Sequence, residues 1–246
     1  ATLEKLTEIE DGRRQIINDP PLLMRLSDLL TKEQKAQIPE QHIEEAWSDY
    51  IASLPAERRL LLSKFYIADG ALRVGGVGSV GTRCTILLLE GSAHKDAIIL
   101  QQKEAGPSVL EAYLPERGYS SHAERVVIGQ RLMQAASDIF LGWHRSGLSD
   151  QQYYWRQLKD MKGSVDVSTL DEAGLGTYLG VCSLCLARAH ARTGDPAVIA
   201  GYLGKSKAFD KAIGQFAKAY ADQAERDYQS LVEAVNSGRI IAQTGV

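Results

Sequence analysis

Three glycines with the spacing G-x-G-x-x-G form the first pattern in this chain that suggests chemistry: Gly76, Gly78 and Gly81, with Ser79 among them. Because glycine has no Cβ, backbone N–H groups in such a segment can approach a phosphate closely. Further along the chain, the segment at 96–103 reads as a strand that carries Lys103, and a lysine can place a point charge beside phosphate oxygens. These residue types predict a phosphate-binding site, and the segments around them decide its kind.

The residues after the glycines exclude two common phosphate-binding motifs. A dinucleotide-binding fingerprint requires a helix directly after the glycines, but the β-branched and apolar run at 82–90 indicates a strand. A P-loop requires Gly-Lys-Ser/Thr, and this chain has Gly81-Thr82-Arg83. What remains is strand, glycine turn, strand and then a strand carrying Lys103, which is the protein-kinase arrangement. A glycine-rich β-turn beside a solvated lysine is the alternative.

Helical spacing of apolar side chains predicts the elements on both sides of this region. The N-terminal segment reads as helical, beginning with a short helix at 2–10, and the chain from about 165 onward reads as helical again. Between them, a short helix starting at Ser108 and a second one at 122–137 would follow the third strand. Two more strands would follow these helices, and a connector would begin near 159, where backbone groups could meet an adenine edge.

This order of elements predicts an α+β, protein-kinase-like fold. Its small lobe would hold a five-stranded antiparallel sheet with inserted helices, followed by a helical part. The predicted regions are a helical N-terminal segment at 1–68, the kinase-like small lobe with its glycine-rich loop at 69–164, and a helical large-lobe part at 165–246.

The composition is that of an ordinary globular protein, with 44% hydrophobic and 24% charged residues over 246 positions. A net charge of -3 gives no reason to expect nucleic acid or an anionic membrane as a partner. The first residues do not read as a signal peptide, so a cytoplasmic location is expected. Cys182 and Cys185 lie in a helical pattern without a second pair, which predicts buried core thiols in a reducing compartment.

Several segments of the chain resemble the domain-of-unknown-function 2252 family, which is similar to the protein-kinase-like and aminoglycoside-phosphotransferase-like folds. They are Val-Gly-Gly-Val-Gly-Ser-Val-Gly-Thr-Arg at 74–83, Gln-Lys-Glu-Ala at 102–105, Pro-Ser-Val-Leu-Glu at 107–111, Gly-Gln-Arg-Leu-Met-Gln-Ala-Ala-Ser-Asp-Ile-Phe-Leu-Gly-Trp at 129–143, Arg-Gln-Leu-Lys-Asp-Met-Lys-Gly-Ser at 156–164, and Leu-Ala-Arg-Ala-His-Ala-Arg-Thr-Gly-Asp at 186–195.

The resemblance implies a site for ATP and Mg²⁺. The glycine segment, through Gly76, Gly78, Ser79 and Gly81, would cover the phosphates, and Lys103 would contact the α- and β-phosphates. Family members are longer and carry an upstream Gly-Asp-x-His-x-x-Asn motif and an Asp-Phe-Asp-like motif, which resemble the kinase base and metal ligands. Neither motif occurs in this sequence. We therefore expect a fragment that matches the C-terminal portion of the family, and we assign no metal ligand in it.

Three acidic residues and one arginine are further candidates. A kinase-like lysine is held by a carboxylate, and Glu111 and Glu124 both lie on the inserted helices that follow Lys103. Glu111 is preferred, but the choice stays open. Arg83 could contact phosphate or point to solvent. Asp195 could serve as a catalytic base, although helix capping explains it better.

Two functions follow from these expectations. The first is the nucleotide-binding part of a kinase-like phosphotransferase, which would move phosphate from ATP to an unknown hydroxyl acceptor. The second is a nucleotide-binding or interaction module without catalysis. The expected partners are a nucleotide and an acceptor, with no nucleic acid and no membrane.

Overall fold

The computed structural model describes residues 2–29, 31, 40–75, 81–92, 96–114, 118–147, 149–158 and 163–242. The chain divides into two compact units, Ala1–Cys185 and Leu186–Val246. The predicted boundaries after residues 68 and 164 stay predictions.

The first unit contains the strands and most of the helices. Its strands are β1 (Thr7–Glu10), β2 (Arg13–Ile16), β3 (Leu23–Arg25), β4 (Tyr66–Arg73), β5 (Cys84–Glu90), β6 (Ala97–Glu104), β7 (Gly142–Arg145) and β8 (Gln152–Gln157). Its helices are α1 (Thr2–Leu6), α2 (Leu26–Leu29), α3 (Glu40–Ala52), α4 (Ala56–Leu62) and α5 (His122–Met133), with a 3₁₀ turn at Val167–Thr169. Helix α6 (Glu172–Thr193) contains the unit boundary.

Six strands of the described part of the chain form one antiparallel sheet in the order β3-β4-β5-β6-β8-β7. The prediction of a mixed α+β fold with an antiparallel sheet is therefore confirmed. The prediction of five strands is wrong, because β3 adds a sixth strand beside β4. The three-residue strand β3 lies in a leucine-rich stretch that reads as helical by spacing alone, and only its pairing with β4 fixes it as extended.

The N-terminal segment is not wholly helical, which corrects the prediction for 1–68. Strands β1 and β2 form a hairpin joined by Asp11 and Gly12, whose φ angles are 50° and 76°. Two residues with positive φ make the turn that matches strand twist, and Asp-Gly is a preferred sequence for it. The predicted helix at 2–10 therefore ends at Leu6, because the Asp-Gly turn closes a hairpin and does not cap a helix.

The residues between β6 and β7 also differ in part from the prediction. The segment after Ser108 forms turns and no helix, although the Ser108 hydroxyl accepts a hydrogen bond from the Leu110 N–H. Helix α5 begins as expected, with the Ser121 hydroxyl accepting from the Glu124 N–H, but it ends at Met133 and not at Ser137.

Each face of the large sheet carries its own core. We call the face that bears Ile86, Ile99 and Lys103 the Lys103 face, because alternate residues of paired strands point the same way. One end of this face packs against the N-terminal elements, with Ile16 and Leu158 in the same buried cluster as Ile99. The opposite face, which bears Leu89, Leu100 and Trp155, packs against α3 and α4 and is called the Trp155 face.

An aromatic cluster joins helix α3 to the β7–β8 hairpin on the Trp155 face. The Tyr50 ring stacks on Trp155 at a centroid distance of 4.5 Å, and its hydroxyl donates to the Phe140 carbonyl over 2.9 Å. The Trp155 Nε1–H donates to Nδ1 of His144 over 2.7 Å. His144 is buried, and burial lowers its pKa to about 4.

The second unit holds the end of α6, helix α7 (Pro196–Leu203) and helix α8 (Ala208–Asn236). Helix α8 carries apolar residues at helical spacing, and Phe209, Ile213, Phe216, Tyr220 and Leu231 among them are exposed. No helix in the described part of the chain is both long and apolar enough to span a membrane.

We expect Gly142→Ala to destabilise the protein by about 1–3 kcal/mol, because overpacking a filled core displaces its neighbours. A Cβ at this position would lie 2.8 Å from Cε2 of Tyr50 and 3.0 Å from Cδ2 of Leu54. The matched control is Gly129→Ala in helix α5, where nothing lies within 4 Å of the added Cβ. That change should stabilise by about 0.5–1 kcal/mol. Urea unfolding measures both, and equal effects would contradict the described packing.

We expect the free energy of unfolding to fall as the pH drops from about 6.5 towards 4. The folded-state pKa of His144 is about 4 and the unfolded value is near 6.5, so the unfolded chain binds more protons in this range. The contribution of this residue is complete above pH 6.5 and is lost by up to about 1.4 kcal/mol per pH unit below it. Urea unfolding at pH 5.0 and 7.5 tests this for the wild type, His144→Gln and the exposed-site control His190→Gln. The slope should flatten only in His144→Gln.

Candidate functional site

The glycine segment connects two neighbouring antiparallel strands. It leaves β4 after Arg73 and enters β5 at Cys84, and no helix follows it. Gly81 has a φ of 83°, in the left-handed region that favours glycine, and nothing lies within 4 Å of the position of a Cβ there. The candidates Gly76, Gly78 and Ser79 lie outside the described residues, as does the connector at 159–162.

Lys103 lies on β6, the strand next to β5, at the end of the sheet where the glycine segment enters. It is paired with Cys84 on β5 and with Tyr154 on β8. Its side chain is half-buried. Within the described residues, no carboxylate oxygen lies within 4 Å of its ammonium group. The structure therefore places the predicted lysine beside the end of the glycine segment, without a carboxylate partner from the described part of the chain.

The two carboxylates considered as partners of Lys103 both bind elsewhere. Glu111 accepts a hydrogen bond from the Ser108 N–H over 3.0 Å and lies 3.2 Å from Nε of Arg125, although that N–H is not aligned for a hydrogen bond. Glu124 accepts from the N–H and the hydroxyl of Ser120 over 2.7 and 2.6 Å. Both side chains thus organise the chain around the start of α5, and the choice between them as a lysine partner stays a prediction.

Arg83 lies on the opposite side of the sheet from Lys103. It directly precedes Cys84, which belongs to the Lys103 face, so its own side chain points to the Trp155 face. There a hydrogen bond with the Tyr153 hydroxyl raises the pKa of the Arg83 guanidinium. The Arg83 N–H also donates to the Glu104 carboxylate over 3.1 Å. The Arg83 side chain is therefore held by Tyr153 on the face of the sheet opposite Lys103.

Sequence reasoning missed three polar residues that share the Lys103 face. Gln101 is buried on β6, and its Nε2 group donates to Sγ of Cys84 over 3.2 Å. Tyr154 and Arg156 lie on β8, opposite Lys103 and Gln101 respectively. The available signal was the alternation of side chains along strand β8. That alternation becomes useful only when β8 is known to pair with β6, a long-range contact that the sequence does not show.

In the described part of the chain, the metal-ligating residue types and the cysteine pair form no further candidate site. Among the described residues, no three His, Cys, Asp or Glu side chains come together where they could hold a metal ion. The described residues therefore provide no ready-made cluster of metal ligands, and the expected Mg²⁺ stays a prediction. The prediction that Cys182 and Cys185 are buried is wrong: Cys182 is half-buried and Cys185 is exposed. Nothing in the structure gives this pair a function.

Asp195 caps helix α7. Its carboxylate accepts hydrogen bonds from the N–H groups of Ala197 and Val198 over 2.8 and 3.2 Å, and Pro196 occupies the first turn. This is the arrangement that satisfies the free N–H groups at a helix start. The capping explanation of Asp195 thus has a direct structural basis, whereas no described contact supports a role as base.

We expect Asp195→Ala to destabilise helix α7 by about 0.5–2 kcal/mol, because the cap hydrogen bonds are lost. Asp195→Ser should recover most of the loss, since a serine hydroxyl also accepts from these N–H groups. Hydrogen exchange at the Ala197 and Val198 amides measures the effect directly. If alanine and serine exchange equally fast, Asp195 is not acting as a cap.

Comparison with known proteins adds a family and no function. The family described as "Uncharacterized protein conserved in bacteria (DUF2252)" matches the chain over residues 1–234. No curated protein and no solved structure matches the chain. The match covers almost the whole chain, which contradicts the expectation of a fragment that corresponds only to the C-terminal portion of the family. The match adds no support for a kinase-like similarity. On this match, the chain belongs to the DUF2252 family of uncharacterised bacterial proteins.

Proposed function

We propose that the first unit binds a nucleoside triphosphate, as the nucleotide-holding part of a kinase-like phosphotransferase. The observation that carries the proposal is the placement of Lys103. It lies on the strand next to the β4–β5 pair, at the end of the sheet where the glycine segment enters β5. A glycine-rich connection and a lysine on the neighbouring strand are the two parts with which kinases hold nucleotide phosphates.

The order of the strands supports the same proposal. Strands β4, β5 and β6 are consecutive neighbours, helix α5 follows β6, and the chain then returns through β7 and β8 so that β8 lies beside β6. A kinase small lobe has its glycine hairpin, lysine strand, helix and returning hairpin in this order. Strand β3 extends the sheet beyond β4, on the side away from Lys103.

The chemistry that this arrangement can perform is charge neutralisation and positioning. Backbone N–H groups of a glycine segment donate to phosphate oxygens, and the lysine adds a positive charge. Holding the triphosphate in this way would orient its terminal phosphate for attack by a hydroxyl of an acceptor. The proposed transfer of phosphate to such an acceptor rests on the likeness to kinases alone.

Nucleotide binding without transfer is the second candidate. Asp195 is the carboxylate considered as a base. Among the described residues, it accepts two side-chain hydrogen bonds, and both come from N–H groups at the start of helix α7. A module that binds nucleotide would need neither a base nor a metal site. Incubation with ATP distinguishes the two, because a phosphotransferase consumes ATP in the presence of its acceptor or slowly transfers phosphate to water.

We expect calorimetric titration with ATP, in the presence of Mg²⁺, to show binding that Lys103→Ala weakens tenfold or more, about 1.4 kcal/mol. The control is Lys64→Ala, which removes an exposed lysine between α4 and β4 and should change affinity less than twofold. Absence of binding by a wild-type chain that unfolds cooperatively would remove the nucleotide site. Equal losses in the two variants would show an effect of net charge only.

A further inference from the structure

The Lys103 face carries a second cation that the nucleotide proposal has not used. Arg156 on β8 lies opposite Gln101, and Tyr154 lies opposite Lys103. Arg156 and Lys103 are therefore diagonal neighbours on adjacent strands and point to the same side. Such diagonal neighbours are about 7–8 Å apart and their Cβ atoms are somewhat closer, so two long side chains can bring their charged groups to one ligand.

Tyr154 lies between the two cations. Its ring is half-buried, and burial raises the pKa of its hydroxyl, while the nearby positive charge of Arg156 acts in the opposite direction. A neutral tyrosine hydroxyl can donate one hydrogen bond to an anion.

Neither cation is neutralised within the described residues. No described carboxylate oxygen lies within 4 Å of Lys103 or Arg156, whereas Arg25 is paired with Asp28 and Arg125 with Glu111. Two positive groups side by side on a rigid, half-buried sheet repel each other, and a bound anion removes that repulsion. A polyanion with two charged groups a few ångströms apart fits this pair better than a single small ion does.

We propose that Lys103, Arg156 and the Tyr154 hydroxyl form one anion site that takes adjacent phosphate groups of a nucleoside di- or triphosphate. The planar guanidinium of Arg156 can hold one phosphate through two parallel hydrogen bonds, and Lys103 adds a point charge to the next. Arg83 takes no part, because its side chain is on the other face of the sheet. The assignment of a nucleoside to the ligand rests on the proposed function, whereas the assignment of phosphate groups rests on the two cations and the tyrosine alone.

The experiment titrates the full chain with inorganic tripolyphosphate and, separately, with ATP at low ionic strength. We expect Arg156→Gln to weaken tripolyphosphate binding tenfold or more. Arg156→Lys should give an intermediate loss, because it keeps the charge without the planar fork. Arg59→Gln, at an exposed position on α4, is the charge-matched control and should change affinity less than twofold. Arg83→Gln should also change affinity less than twofold, and a loss there equal to that of Arg156→Gln would overturn the proposal.

A second measurement uses the wild-type chain and does not depend on how the variants fold. Phenylglyoxal modifies accessible arginines, and mass spectrometry reports the extent at each site. We expect tripolyphosphate to protect Arg156 and to leave Arg59 unprotected. Modification of Arg156 at the same rate with and without tripolyphosphate would refute the site.

The outcomes separate this inference from the proposed function. If tripolyphosphate binding depends on Arg156 but ATP does not bind, the anion site stands and the nucleotide function fails. If ATP binding depends on Lys103 and not on Arg156, the nucleotide function stands and this inference fails. Saturable binding of tripolyphosphate that none of the arginine changes affects would place the anion elsewhere.

Discussion

The contact between Tyr50 and the β7–β8 hairpin is the interaction on which the rest of the first unit depends. The stacked Tyr50 and Trp155 rings connect distant parts of the chain, and so does the Tyr50–Phe140 hydrogen bond, whose residues are 90 positions apart. A second hydrogen bond, from the Trp143 N–H to Oγ of Ser53 over 2.9 Å, fixes the residue directly after this helix to β7. Because Trp155 belongs to β8, this docking also fixes the strand that pairs with β6.

The position of β8 has a consequence on the other side of the sheet. Strand residues alternate between faces, so burying Trp155 beneath α3 requires Tyr154 and Arg156 to point to the Lys103 face. A shift of one residue would exchange the two sets and place an arginine in the aromatic cluster. The packing of a hydrophobic core therefore decides which polar groups stand beside Lys103, although none of the core residues belongs to the proposed site.

Much of the fold could be predicted from local patterns, and the misses share one cause. The central strands, helix α5 and the long C-terminal helices follow from alternation, helical spacing and caps, which are properties of neighbouring residues. The N-terminal hairpin was missed although Asp11-Gly12 is a strong turn sequence, because its strands are short and their apolar positions also fit a helix. Strand β3 was missed because three residues carry too little pattern without the partner strand. The helix after Ser108 was predicted from a good cap, but its residues form only turns.

The features of the candidate site also fall into two groups, those visible in the sequence and those set by strand pairing. The sequence by itself determined the residue types that can meet phosphate, the glycine segment and Lys103, because spacing within one stretch and the ends of apolar runs are visible in a linear chain. The tertiary structure alone decided the neighbours: Arg156 and Tyr154 on the same face as Lys103, and Arg83 on the opposite face. The physical reason is that strand pairing between β6 and β8 joins residues about fifty positions apart through backbone hydrogen bonds, and every non-proline residue carries the same backbone donor and acceptor. Register is then fixed by which side chains must be buried, a condition that exists only in the assembled core.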